Sequence, residues 1–188
     1  MGMATASKHW TIEMLRALPE DRKRYEIIDG ELFVTPSPAL IHQRAVAQLH
    51  LRLAPYLKTQ RLGEAVIAPA DVEIANDTMV VPDLFVVPPI VGRPPKSWTE
   101  AGRLLVVVEV LSPTTARADR VRKRALYARK RIPEYWIVDV DARVFERWRP
   151  DDERPEVLAE RLEWRPDAER DALTIDLIEY FADVVGDA

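Results

Sequence analysis

The chain has no cysteine and only three histidines, His9, His42 and His50, among its 188 residues. A disulfide framework, a thiolate metal site and a cysteine nucleophile are all excluded, and a histidine-rich zinc site is disfavoured. Any bound metal ion is therefore expected on carboxylate oxygens. Long apolar runs are missing as well: nothing approaches the roughly 20 uninterrupted apolar residues of a membrane-spanning helix. The opening Met1-Gly2-Met3-Ala4-Thr5-Ala6-Ser7-Lys8 lacks an apolar export segment, and Ala6 stands where a myristoylation signal needs Ser or Thr. The cytoplasm is the expected compartment.

What remains is an ordinary globular composition, 47% hydrophobic and 31% charged. The length suits one domain over 1–188 with its core at about 24–149. A net charge of −4 argues on its face against a nucleic-acid binder, but the charge is segregated. Residues 114–131 carry eight basic residues against the single acid Asp119, a local +7, whereas 150–188 carry a net −9. Such a division creates a field attractive to anions inside an acidic molecule.

Local patterns outline the elements. Residues 10–18 read as a short amphipathic helix with Thr11 as cap and Pro19 as stop. Residues 24–28 and 31–35 flank Asp29-Gly30, the dipeptide of a type I′ hairpin turn. Pro36-Ser37-Pro38 opens a long helix to about Lys58, with an Ile41, Ala45, Leu49, Leu53 stripe and Pro55 disturbing its last turn. Residues 65–74 and 79–87 read as consecutive strands, and 88–102 as a loop long enough to face a substrate. Residues 104–111 form a continuous apolar run, a strand buried on both faces. A helix to about Arg131 and a strand at 134–138 complete a right-handed βαβ unit. Strands at 144–149, 156–164 and 172–175 and a helix at 177–183 close the chain.

Two acids interrupt apolar strands: Glu109 in 104–111 and Asp83 in Val80-Val81-Pro82-Asp83-Leu84-Phe85. Burying an unpaired carboxylate costs several kcal/mol, so each needs a cation, a metal or a set of donors. Either the two converge on a hard-oxygen site suited to Mg²⁺ or Mn²⁺, or Asp83 caps a bulge and Glu109 pairs with an arginine. Pro82 cannot donate to a ladder, so the strand is at an edge or distorted there. On the following helix, Asp119, Lys123 and Tyr127 share one face, opposite Ala118, Val121, Ala125 and Ala128. Lys123 lies about 14 Å along the helix from Thr114 and Glu109 roughly 7 Å back from Leu111. The lysine stem can thus reach the carboxylate, unless Lys123 forms only a surface pair with Asp119.

Several segments, in order, resemble one family. They are Tyr25-Glu26-Ile27-Ile28-Asp29-Gly30-Glu31-Leu32, Ser37-Pro38 with His42-Gln43-Arg44, Val81-Pro82-Asp83, Val108-Glu109-Val110-Leu111-Ser112-Pro113, Asp119 with Lys123 and Tyr127, and Pro133-Glu134-Tyr135-Trp136-Ile137-Val138-Asp139. Together they are similar to the bacterial, notably cyanobacterial, Putative restriction endonuclease family of the PD-(D/E)XK nuclease superfamily. The resemblance implies an α/β restriction endonuclease-like core: N-terminal hairpin and helix, central mixed β-sheet, βαβ crossover and C-terminal antiparallel strands.

It also implies a site. Pro82-Asp83 matches the PD element and Glu109 the second metal-binding acid. Leu111 stands where the superfamily motif has lysine, and Lys123 takes that role from the next helix. The superfamily often adds an acid on its first helix, but residues 39–58 contain none. Glu31 is the candidate substitute, while His42, Gln43 and Tyr127 are candidate supporting residues. Asp83, Glu109 and the Val110 carbonyl would hold Mg²⁺ or Mn²⁺, and Arg117, Arg120, Arg124 and Arg131 would face the phosphate backbone. Those arginines otherwise form a solvated face or pair with the acidic C-terminal segment. The expected activity is phosphodiester hydrolysis, with DNA as partner. The alternatives are a non-catalytic nuclease-fold module for DNA or protein and a homodimer using Trp136, Trp148 and Trp164, which otherwise belong to the core.

Overall fold

The computed structural model describes residues 8–19, 21, 23–35, 37–90 and 102–186. Residues 91–101 of the expected substrate-facing loop, Pro36 and the first seven residues lie outside the described residues.

Short helix α1, Ile12–Arg16, is capped by Thr11, whose side chain accepts from the Met14 N–H. Strands β1, Arg24–Ile28, and β2, Glu31–Thr35, pair antiparallel in the expected register. Asp29 and Gly30 both take positive φ, 51° and 78°, as a type I′ turn requires. Helix α2, Leu40–Gln60, continues through Pro55 rather than ending near Lys58. Leu49, Leu53 and Leu57 form its buried stripe, but the head of that stripe is His42, not the more exposed Ile41.

The two long strand readings at 65–74 and 79–87 each divide. The first becomes β3, Glu64–Ile67, and β4, Val72–Ala75; the second becomes β5, Thr78–Val80, and β6, Leu84–Val87. Strands β4 and β5 join β1 and β2 in a four-stranded sheet ordered β2-β1-β5-β4. Strands β3 and β6 enter a larger sheet with β7, Val106–Val110, and β8, Glu134–Asp139. Val81-Pro82-Asp83 is therefore where the chain leaves one sheet for the other. Proline removes the ladder donor at that step, as its chemistry predicts.

Between β7 and β8 runs α3, which opens as π-helix over Ala118–Lys123 and continues as α-helix over Arg124–Arg129. Strands β7 and β8 pair in parallel, the expected βαβ geometry, and β6 pairs antiparallel to β7. The larger sheet is completed by β9, Val144–Trp148, and β10, Glu156–Leu158, in the order β10-β9-β8-β7-β6-β3. The single strand expected at 156–164 divides too: β11, Arg161–Trp164, pairs with β12, Leu173–Asp176, in a separate ribbon. Helix α4, Leu177–Val185, closes the chain, its Asp176 cap accepting from the Glu179 N–H.

Alternation along the strands divides the core. Val106, Val108 and Val110 face α2 and α4 together with Trp136, Phe145, Tyr180 and Phe181. Val107 faces the other side with Phe85, Ile137, Leu126 and Tyr127. Successive side chains alternate faces, so Glu109 follows Val107 toward α3. Trp136 and Trp164 are 0% and 1% exposed, core residues rather than an interface. Among the described residues, no helix is long and apolar enough to cross a membrane.

Candidate active site

Four carboxylates are buried together beneath α3: Glu26, Asp83, Glu109 and Asp119, none more than 2% exposed. Lys123 enters from α3 and is itself 3% exposed. Its ammonium lies 2.8 Å from Glu109 Oε1, 2.9 Å from Glu26 Oε1 and 3.6 Å from Asp119 Oδ1. The Tyr127 hydroxyl donates to the same Glu109 oxygen at 3.3 Å. The polar face of α3 thus points inward, while Val121 on its apolar face is 55% exposed. This inverts the usual amphipathic arrangement: the Lys123 ammonium is buried among three carboxylates that compensate its charge, and Val121 is left toward solvent.

Asp83 sits at the start of β6, held from three directions. Oδ1 accepts from the Arg24 guanidinium at 2.9 Å, and Oδ2 accepts from the Val110 N–H at 2.9 Å and from His42 Nε2 at 3.0 Å. An ionised carboxylate only accepts, so the proton of this bond is on Nε2. Burial pushes the Asp83 carboxyl up, but the His42 hydrogen bond and charge, Arg24 and Lys123 outweigh it and hold it at about 2. Glu109 moves the opposite way. Burial drives it well above the usual carboxylate range, and Asp83, Asp119 and Glu26 add to that against Lys123. Burial pulls the Lys123 ammonium down, yet Glu109, Glu26, Tyr127 and Asp119 hold it well above an ordinary lysine. Burial, Glu109 and Glu26 likewise raise the Tyr127 hydroxyl well above its ordinary value.

The elements explain the convergence. The β7 register sets Val108 against Leu84, so Asp83, one residue before Leu84, falls beside Glu109. Arg24 and Glu26, two apart on β1, share a strand face; one reaches Asp83 and the other Lys123. Glu26 also accepts from the Val81 N–H at 2.8 Å, bracing the chain where it changes sheets. A cleft of about 440 Å³ opens on Asp83, lined by Lys23, Arg24, Ser37, His42 and Gln43 among others.

The sequence reading thus meets the structure unevenly. Asp83, Glu109, Lys123, Tyr127 and His42 come together, and Gln43 lines the mouth of the cleft. Glu31 does not join them: it is exposed and pairs with Arg122 at 3.1 Å. Its outward position on β2 leaves the buried role to Glu26, on the neighbouring strand. Glu26, Arg24 and Asp119 were missed as site residues. Glu26 carried the same signal that marked Glu109, an acid in a strand beside isoleucines. Of the four arginines expected to face nucleic acid, three are engaged within the chain. Arg120 binds Glu146 and Asp139, Arg124 lies over Trp148, and Arg131 pairs with Asp151. Arg117 is exposed, with no ion pair among the described residues.

Among the described residues no three acidic or histidine side chains are already arranged as a metal cage. The donor chemistry nevertheless fits a hard cation: four buried carboxylates are opposed by two fixed cations, Arg24 and Lys123. Extending the β6–β7 register would set Pro82 opposite Val110, where the proline ring offers no N–H to the Val110 carbonyl.

A mixed sheet that brings a strand-end aspartate, a mid-strand glutamate and a helix lysine together defines a nuclease-like α/β protein. The Uma2 family, described as Putative restriction endonuclease, matches residues 12–177, and the chain belongs to it. No curated protein matches. A crystal structure described as a putative nuclease belonging to DUF820 from Anabaena variabilis ATCC 29413 has a TM-score of 0.72 at 22% identity, over 93% of this chain and 99% of that one. That likeness establishes the fold.

Proposed function

We propose that the chain is a divalent-metal-dependent endonuclease that hydrolyses phosphodiester bonds in DNA. The observation that carries this reading is the contact of Lys123 with Glu109 at 2.8 Å, on a sheet that also presents Asp83. A lysine supplied from the helix restores the pairing that Leu111, two residues after Glu109, lacks.

In this reading Asp83, Glu109 and the Val110 carbonyl hold Mg²⁺ or Mn²⁺, the counter-charge that the buried carboxylates lack. A hard cation there supplies a coordinated water of lowered pKa and neutralises phosphate charge. Lys123 orients the attacking water and offsets charge developing on the phosphorus oxygens. Tyr127 and Glu26 keep Glu109 and Lys123 in register, and Gln43 and His42 line the approach. Arg117, which has no ion pair among the described residues, contacts the phosphate backbone, with Lys23 lining the cleft. We place the enzyme in the cytoplasm, as one domain and as a homodimer whose contacts lie outside the buried Trp136 and Trp164.

Incubation of plasmid and single-stranded DNA with Mg²⁺ or Mn²⁺ tests the proposal. Cleavage is expected for the native chain and its loss in Asp83→Ala and Glu109→Ala; full activity in both variants would refute the assignment. A second reading, a non-catalytic nuclease-fold module, is favoured by one observation: Arg24 and His42 already occupy the Asp83 oxygens. Binding of DNA without Mn²⁺ binding or cleavage would select it.

A further inference from the structure

Arg24 and Lys123 are the two cations of the candidate site, and they are held differently. Lys123 is 3% exposed and clamped among Glu26, Glu109 and Asp119. Arg24 is the first residue of β1, paired with Thr35 at the open end of the hairpin. Its side chain is 20% exposed and forms part of the wall of the Asp83 cleft. Nη1 donates to Asp83 Oδ1 at 2.9 Å, and Nε donates to Thr35 Oγ1 at 3.1 Å. Nη2 has no partner among the described residues.

The two oxygens of Asp83 are also held unequally. Oδ2 accepts from two buried donors, the His42 Nε2–H and the Val110 N–H. Those two bonds use both lone pairs of that oxygen and fix the plane of the carboxylate. Oδ1 accepts only from Arg24 among the described residues, so it is the oxygen with capacity left for a further ligand. A hard cation arriving there meets a guanidinium nitrogen 2.9 Å from the same atom, and two positive charges that close repel strongly in a buried site. The guanidinium has somewhere to go. The cleft beside it measures about 440 Å³ and has Asp21 and Asp71 in its lining, while the bond to Thr35 anchors the side chain independently of Asp83.

We infer that Arg24 sets the affinity of the candidate site for divalent cations, by occupying Asp83 Oδ1 itself and withdrawing into the cleft when a cation takes that oxygen. The inference rests on the metal-dependent reading proposed above and adds to it the residue that competes with the metal. It also separates the partners of Asp83 by role: His42 and the Val110 N–H orient the carboxylate, and Arg24 alone has to yield. Competition of this kind weakens apparent affinity by the fraction of molecules left competent to bind, so an arginine seated in about nine molecules of ten weakens it about tenfold.

The experiment titrates the full chain, stripped of divalent metal with EDTA, with Mn²⁺ and counts the free ion by electron paramagnetic resonance. Arg24→Met removes the charge and keeps an apolar stem, and it is expected to bind Mn²⁺ about tenfold more tightly than the native chain. Arg24→Lys keeps the charge and is expected to fall between the two, while Asp83→Asn is expected to lose the site. A merely structural arginine gives the opposite order, because an Asp83 no longer held in place binds the ion more weakly. Equal or weaker binding by Arg24→Met, with binding abolished in Asp83→Asn, would overturn the inference and leave the metal-dependent reading standing. No Mn²⁺ binding by either the native chain or Arg24→Met would sink both. A second measurement needs no variant. In the ¹⁵N-labelled native chain, saturation with diamagnetic Mg²⁺ is expected to shift the Arg24 Nε–H resonance and to speed exchange of its Nη protons. Arg24 signals that stay still while the Val110 amide shifts would show that the guanidinium does not yield, and the inference would fall.

Discussion

Lys123 Nζ lies 2.9 Å from Glu26 Oε1, so a residue of the N-terminal hairpin, 97 positions away in the chain, sets where the helix lysine stands. The same Glu26 oxygen accepts from Val81 next to the change of sheets. One buried carboxylate thereby joins three elements that carry the candidate site.

Removing the ammonium from this cluster should be costly. Lys123→Met would leave Glu26, Glu109 and Asp119 facing one another without their shared cation, and breaking a buried pair this way costs about 3–5 kcal/mol. Urea unfolding of the two chains is the check. A loss below about 1 kcal/mol would show that the lysine is solvated rather than clamped.

Glu109 and Asp83 should respond to amide substitution with opposite signs, because burial and neighbouring acids raise the first while partners lower the second. Glu109→Gln removes surplus negative charge and is expected to raise Tm at pH 7 in EDTA. Asp83→Asn gives up stabilising contacts with Arg24 and His42 and is expected to lower it. Thermal melts of both variants decide, and a fall in both would contradict the assigned directions.

The Asp83 effect has a defined pH window. Its folded value, about 2, is below the ordinary 3.8, so its contribution is complete above 3.8 and disappears as pH falls toward 2. The size is about 2 kcal/mol. The stability difference between the native chain and Asp83→Asn should therefore be flat above pH 5 and shrink steadily in acid. A difference that stays constant from pH 5 down to 2 would contradict the depressed value.

Mn²⁺ should stabilise the native chain by mass action, with Tm rising as the ion exceeds its Kd. Neither Asp83→Asn nor Glu109→Gln should show that rise. Equal shifts in all three chains would put the ion elsewhere.

The arginines of α3 should separate into two kinds. Arg120→Ala removes hydrogen bonds to Glu146 and Asp139 and is expected to cost about 1–2 kcal/mol of stability. Arg117→Ala should leave stability unchanged while lowering DNA affinity and reducing its salt dependence. Filter binding across a salt series, beside denaturant melts, distinguishes the two.

Much of this was legible in the residues themselves. The Asp29-Gly30 hairpin, the parallel βαβ unit, the lone acids at Asp83 and Glu109 and the reach of Lys123 all follow from local rules: positive-φ turn chemistry, strand and helix periods, and the cost of burying charge. These rules act within a few residues, or along one element, and need no knowledge of the partner. What tertiary structure alone decided is which groups share a buried volume. It divided the runs 65–74 and 79–87 between two sheets at Val81-Pro82-Asp83, and it chose Glu26 over Glu31 because strand pairing turned one inward and left the other in solvent. It also put His42 at the head of the buried stripe and committed Arg120, Arg124 and Arg131 to acids and an aromatic ring far along the chain. Electrostatic energy depends on distance and burial rather than on sequence separation, so such pairings become definite only when the sheets and α3 close over them.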